Sequence, residues 1–145
     1  MKILMVCLGN ICRSPLAHGI LEHLAEAHHL DWEIDSAGTG DWHVGQRPDS
    51  RSIAIARKYG VDISKQRARQ FSKDDLDYYD HILVMDRTNL SDVLALASSS
   101  EQRAKVSLFL VNDVVPDPYF DEHLFDPVYQ MIAERCEALI TGLKD

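Results

Sequence analysis

Met1-Lys2-Ile3-Leu4-Met5-Val6-Cys7-Leu8-Gly9-Asn10-Ile11-Cys12-Arg13-Ser14-Pro15 decides how the rest of the chain is read. Residues 2–7 form a short apolar run, the pattern of a parallel strand buried on both faces. Ser14-Pro15 reads as an N-cap followed by proline in the first helical turn. Ala17, Ile20, Leu21 and Leu24 then recur at helical spacing, which predicts a helix to about His29. The stretch is therefore a strand, a loop and a helix, with a cysteine at the strand's end and an arginine at the helix start.

The same alternation continues along the chain. Trp32 to Ser36 makes a second strand, and Pro48-Asp49 opens a helix that Gly60 closes. Ser72-x-x-Asp75 reads as a capping box over a short helix. His81 to Met85 is a third strand, followed by a helix to about Ala97. Lys105 to Val111 is a fourth strand, and Asp126-Pro127 caps a final helix with Val128, Ile132, Cys136, Leu139 and Leu143 on its apolar face. Ser98-Ser99-Ser100 is a brief low-complexity tract, with no repeat or linker elsewhere. This order predicts an α/β fold: a single domain over residues 1–145, with a four-stranded parallel sheet and helices on both faces, Rossmann-like in plan. Ligands of such sheets sit beyond the carboxyl ends of the strands. Three loops leave those ends, at 8–14, 37–48 and 112–125, and the site is expected where they meet.

Composition agrees with a globular domain and narrows its partners. The 145 residues carry 15 Lys+Arg against 23 Asp+Glu, a net charge of −8. Such a surface repels polyanions, so neither nucleic acid nor an anionic membrane is expected as a partner. Three cysteines, an odd and sparse count, point to a reducing compartment. The opening apolar run is interrupted too soon for a secretory leader or a membrane span, so a cytoplasmic protein is expected.

The first loop carries the chemistry. Five residues between Cys7 and Arg13 can curl until successive backbone N–H groups converge on one oxyanion. The helix start adds unsatisfied donors and the positive end of its dipole. Gly9 permits backbone conformations a β-carbon forbids, and Arg13 offers a planar fork for two phosphate oxygens. The same field favours the thiolate of Cys7. The loop thus makes a nucleophile while holding a phosphate, which predicts covalent phosphoryl transfer without a metal or cofactor. Dinucleotide and Walker glycine patterns are absent. A zinc site would have only Cys7 and Cys12 at workable spacing, so no metal is expected.

Cys7-x5-Arg13-Ser14-Pro15 this near the N-terminus resembles the low-molecular-weight protein tyrosine phosphatases. Asp35-Ser36-Ala37-Gly38-Thr39, Trp42-x-Val44-Gly45, Ala68-Arg69-Gln70, Val84-Met85-Asp86 and Pro116-Asp117-Pro118-Tyr119 follow in that family's order and spacing. The resemblance covers nearly the whole chain and implies the phosphotyrosine phosphatase I-like fold. It implies that Cys7 attacks phosphorus to form a phosphocysteine, with Arg13 stabilising the transition state. Asp117, fixed between two prolines, would be the general acid and then the base; Asp121, Glu122 and Asp126 are weaker candidates. Leu8, Gly9, Asn10, Ile11, Cys12 and Ser14 would complete the phosphate-binding loop, Ser14 donating to the Cys7 sulfur. Asn10 would be held by Ser36 and by Gln66, which stands where many relatives have histidine. A second departure is Phe120-Asp121-Glu122, where relatives often show an aromatic followed by glycine. Trp42 and Tyr119 would wall the substrate ring, and Cys12 would pair reversibly with Cys7 under oxidation.

The partner implied is a phosphotyrosine-containing protein, a tyrosine kinase being one candidate, acted on by a monomer or weakly self-associating enzyme. Three relatives or variants of this loop compete. A thioredoxin-coupled arsenate reductase needs further cysteines, and none lies between Cys12 and Cys136. A protein-arginine phosphatase typically carries threonine where Ile11 stands. A phosphopeptide-binding module would have lost catalytic residues that are all present here. The histidines, His18, His28, His29, His43 and His123 among them, read as solvated surface. Lys65 to Arg69, with Arg47 and Arg51, reads as solvated charge at the rim, and Trp32 as core.

Overall fold

The computed structural model describes residues 1–143. Its four strands are β1 (Lys2–Cys7), β2 (Glu33–Gly38), β3 (His81–Val84) and β4 (Val106–Leu108). Its helices are α1 (Arg13–Ala27), α2 (Ser50–Lys58), α3 (Asp75–Tyr78), α4 (Arg87–Leu96), α5 (Ser100–Ala104) and α6 (Phe125–Leu143). All strand pairs are parallel, in the order β2-β1-β3-β4. The chain steps from β1 to one side and returns on the other, so the switch point lies between β1 and β3. That is where an open parallel sheet opens its ligand crevice.

Alternation along the strands divides the core in two. Ile3, Met5, Cys7, Leu83 and Met85 face α1, α2 and α6, meeting Leu16, Ile53, Val128 and Ile132. Leu4, Val6, Ile82 and Val84 face the other way, onto Leu76, Tyr79 and Val93. β1 pairs with β2 from Lys2↔Glu33 to Cys7↔Gly38, which seats the end of β2 beside the first loop.

Several element ends differ from the sequence reading. Cys12, not Ser14, occupies the N-cap position of α1, and no side chain caps that helix. The Ser14 hydroxyl is instead used inside the loop, as described below. Asp126 lies within the first turn of α6, not at its cap; its carboxylate accepts from Tyr59 Oη at 2.8 Å and ties α6 to α2. Only half of the expected capping box at Ser72 forms: Asp75 accepts from the Ser72 N–H at 2.9 Å, while the helix itself starts at Asp75. β4 stops at Leu108, opposite the end of β3 at Val84, and the chain then doubles back between Leu110 and Asp113 through Asn112, at a left-handed φ of 56°. The serine tract is a helix start: Ser99 accepts from the Gln102 N–H at 3.1 Å and opens α5. Ser99-x-x-Gln102 has the spacing of a capping box.

Candidate active site

β1 delivers Cys7 to the crevice and α1 begins six residues later, so residues 8–12 must turn within a few ångströms. Two main-chain bonds hold that turn to the extension of β2: Thr39 N–H to Cys7 O and Gly40 N–H to Leu8 O, both 2.9 Å. Asn10 takes φ +57°, a left-handed conformation that asparagine tolerates better than most residues. Its backbone N–H donates to Cys7 Sγ at 3.3 Å. Its side-chain Nδ2 donates to Ser14 Oγ at 2.8 Å, and Ser14 Oγ lies 3.1 Å from Cys7 Sγ. With Cys7 as a thiolate the Ser14 hydroxyl is the donor of that pair, because the thiolate has no hydrogen to give. The uncapped first turn of α1 adds amide donors at the same spot. The Ser14 hydroxyl, the Asn10 N–H and a helix N-terminus therefore surround the Cys7 sulfur.

Arg13 is buried and anchored on one edge. Its Nη1 donates to Asp86 Oδ2 at 2.7 Å and to Val115 O at 3.0 Å. Asp86 Oδ1 is occupied by the N–H of Asn89, because Asp86 is the N-cap of α4. The carboxylate is thus fixed by one helix while it orients the arginine of another. Burial pulls the guanidinium toward neutrality. The charge on Cys7, the Asp86 hydrogen bond and the charge of Asp117 outweigh that, so its pKa lies above the ordinary arginine value. Sequence reasoning passed over Asp86 as an orienter. The available signal was an Asp directly after a strand at the switch point, in cap position.

Asp117 lies across the opening. Its Oδ2 is 3.8 Å from Arg13 Nη2, while Oδ1 accepts from the Tyr119 N–H at 3.1 Å. Together with the loop it closes a cavity of about 170 Å³ whose walls include Trp42, His43, Tyr119 and Phe120. Trp42 is 67% exposed and Phe120 90% exposed, so these rings are presented to solvent and not packed in the core. Gly40 has to be glycine for Trp42 to lie there: an added Cβ would meet the indole at 2.1 Å. Ile11 also lines the cavity. His43 and Phe120 are wall residues that the sequence reading missed. His43 stands beside Trp42, and Phe120 directly follows Asp117-Pro118-Tyr119. Among the described residues no three His, Cys, Asp or Glu side chains come together as a metal-binding group.

The expected support of Asn10 is different in detail. Among the described residues neither Ser36 nor Gln66 bonds to Asn10. Ser36 shares a 3.0 Å hydrogen bond with His18, on α1, and Gln66 donates to Pro15 O at 3.1 Å. The Asn10 carboxamide is instead spanned by Ser14 and by the Arg69 N–H, which donates to its Oδ1 at 3.1 Å. His18 is accordingly a largely buried partner and not solvated surface. Nor is Arg69 a solvated rim charge, since it pairs with Asp35 and Asp75. Arg51 grips Asp49 through two nitrogens and lies over the Tyr119 and Phe125 rings. The Cys12 thiol is buried, and burial with the charge of Asp49 pushes its pKa up to about 12. Cys136 is a core residue whose thiol burial also pushes up.

Residues 2–145 match the family model described as low molecular weight phosphotyrosine protein phosphatase. The chain is 39% identical over 150 residues to the low molecular weight protein-tyrosine-phosphatase YfkJ of Bacillus subtilis, covering 99% of this chain and 96% of that protein. A crystal structure of a protein tyrosine phosphatase from Entamoeba histolytica superposes with a TM-score of 0.92 at 34% identity, over 99% of this chain and 96% of that one. A Drosophila arginine phosphatase superposes with a TM-score of 0.91 at 33% identity, over 100% and 99% of the two chains.

Proposed function

The chain belongs to the low molecular weight phosphotyrosine protein phosphatase family and is a protein-tyrosine phosphatase, and from that premise we propose how its own residues perform the reaction. The Cys7 sulfur attacks the phosphorus of a phosphotyrosine side chain while the bond from phosphorus to the phenolic oxygen breaks. Asp117 gives its proton to that oxygen, so tyrosine leaves neutral and phosphate stays on sulfur. Water then attacks phosphorus, Asp117 takes its proton, and the phosphorus–sulfur bond breaks. The departing thiolate accepts the Ser14 hydrogen bond, and inorganic phosphate is released. The loop amides and the free edge of Arg13 carry the charge of the equatorial oxygens.

One observation carries this reading: Cys7 Sγ lies 3.1 Å from Ser14 Oγ and accepts from the Asn10 N–H, inside a cavity that also holds Arg13 and Asp117. Aryl phosphate is the substrate class that suits the walls, because Ile11, Trp42, Tyr119 and Phe120 make them apolar and ring-shaped. A phosphoarginine side chain would bring its polar guanidine against the same apolar Ile11. We assign the partner as a phosphotyrosine-bearing protein. A thiol nucleophile works best where it stays reduced, so we place the enzyme in the cytoplasm.

The test compares phosphotyrosine, phosphoserine and phosphoarginine peptides, with and without chelator. Phosphotyrosine is expected to be cleaved fastest, unchanged by chelator, and Cys7→Ser to bind phosphate without turnover. Asp117→Asn should slow a substrate with a poor leaving group by about 10²–10⁴-fold. Full activity in Cys7→Ser would refute the nucleophile, and faster cleavage of phosphoarginine would refute the substrate class.

A further inference from the structure

Asn10 is held at two points, and only one of them belongs to the phosphate-binding loop. Its Nδ2 fixes the direction of the Ser14 hydroxyl, and its Oδ1 depends on the main-chain N–H of Arg69, 59 residues away. The segment carrying that N–H runs between α2 and α3 and meets the sheet at Gly38, which donates to Arg69 O at 2.9 Å and accepts from the Phe71 N–H at 2.7 Å; Ala68 bonds to Gly45 and Gln46. A further tie fixes residue 69 beside the loop.

Its own side chain supplies that tie. Arg69 Nη1 and Nη2 donate to the two oxygens of Asp75 at 3.0 and 3.1 Å, a two-pronged pairing, and Nε donates to Asp35 Oδ2 at 3.1 Å. Asp35 stands on β2, and Asp75 opens α3. Each carboxylate has a further tether: Tyr79 Oη donates to Asp35 at 3.4 Å, and the Ser72 N–H donates to Asp75 at 2.9 Å. Meanwhile Arg69 O accepts from the Gly38 N–H at 2.9 Å. The side chain thus locks to β2 and α3 while its main-chain N–H faces the loop. A planar fork with donors on two edges can do this, and lysine cannot.

We propose that Arg69 is a positioning residue for phosphocysteine hydrolysis, its clamp on Asp35 and Asp75 setting the Asn10 carboxamide that aims the Ser14 hydroxyl at the Cys7 sulfur. The proposal rests on the phosphocysteine reading above. When water has attacked and the phosphorus–sulfur bond is breaking, sulfur leaves as a thiolate. An aimed hydroxyl stabilises that charge, and a wandering one does not. The first step needs the same bond less, because there the sulfur loses its charge to phosphorus.

Burst kinetics with p-nitrophenyl phosphate separate this from a folding effect. The burst counts sites that form phosphocysteine, and the steady state reports its hydrolysis. Arg69→Ala is expected to keep a burst amplitude near one per folded chain while the steady-state rate per site falls about tenfold, equivalent to about 1.4 kcal/mol in the barrier. Arg69→Lys should recover only part of the loss. In an Asn10→Ala background, Arg69→Ala should add no further loss, because its effect passes through Asn10. An unchanged steady-state rate per site in Arg69→Ala, or full additivity with Asn10→Ala, overturns the proposal. Absence of a burst in the wild type would instead overturn the phosphocysteine reading itself.

Discussion

Gly38 is the point at which adding one carbon should separate catalysis from stability. It ends β2 opposite Cys7, and a Cβ built there would lie 2.8 Å from Leu8 O, 3.1 Å from Asn10 N and 3.1 Å from Gly9 C. All three are main-chain atoms of the phosphate-binding loop, and ordinary contact begins at 3.4 Å. Gly38→Ala must therefore push the loop back by about half an ångström, and β2 has little room to yield. Gly38 donates to Arg69 O at 2.9 Å and accepts from the Phe71 N–H at 2.7 Å. Overpacking of this kind costs about 1–3 kcal/mol of stability. Misplacing reacting groups by about 1 Å costs roughly 10²-fold in rate, so half that displacement predicts a loss of about tenfold in kcat/KM. Gly60→Ala is the control. Its φ of +85° makes alanine strained, with nothing within 4 Å of the new carbon and no contact to the loop. It should cost about 1–2 kcal/mol of stability and leave kcat/KM unchanged. Steady-state kinetics beside thermal unfolding decide the matter. Wild-type kcat/KM in Gly38→Ala, or an equal loss in Gly60→Ala, refutes the reasoning.

Three further outcomes are expected. Asp86→Asn keeps a competent N-cap for α4 but presents a donor either to Arg13 or to the Asn89 N–H. kcat/KM should fall at least tenfold and stability by about 1–3 kcal/mol; wild-type values for both would show that Asp86 does not orient Arg13. Iodoacetamide at neutral pH should add one group per native chain, at Cys7, read by mass spectrometry. The Cys12 pKa of about 12 keeps that thiol protonated until strongly alkaline pH, so a second adduct at pH 7 contradicts this account. Peroxide should oxidise Cys7 to a sulfenic acid that the Cys12 thiol captures, releasing water and forming a disulfide that added dithiol reduces. Cys12→Ser should then regain less activity after peroxide and dithiol than wild type, and equal recovery would remove Cys12 from that role.

What could be read from the sequence was what is local in it. Residues 2–15 carry a strand, a turn and a helix start within one stretch, so their reading needs no knowledge of partners. Asp117 came from the family resemblance, through Pro116-Asp117-Pro118-Tyr119, and its carboxylate lies 3.8 Å from Arg13. The residues that escaped depend on the order β2-β1-β3-β4. Asp86 meets Arg13 across 73 residues because β3 lies beside β1. Arg69 meets Asn10 across 59 residues because residue 70 bridges to the end of β2. In sequence Arg69 is a charge in a polar stretch, indistinguishable from solvated surface, while Asp86 reads as a cap after an apolar strand and nothing near it names Arg13 as its partner. Ser36 and Gln66 failed as props of Asn10 for a related reason. The neighbours they found, His18 and Pro15 O, both lie on α1, and nothing local announces which face of α1 they reach.

The charge of the site follows from the same geometry. Arg13 is a single buried cation beside Asp86, with Asp117 and the sulfur of Cys7 close by. Side-chain charge alone would repel a phosphate from such a place. What attracts one is the main chain, through the loop amides and the uncapped first turn of α1, together with the edge of the Arg13 side chain that Asp86 and Val115 leave open. Asp86 therefore costs the pocket some attraction and returns orientation, since a guanidinium held by Nη1 can present its other edge in one plane only. An anion site of this kind depends on backbone placement to within fractions of an ångström. For that reason a methyl group at Gly38, which alters no charge, is expected to damage it.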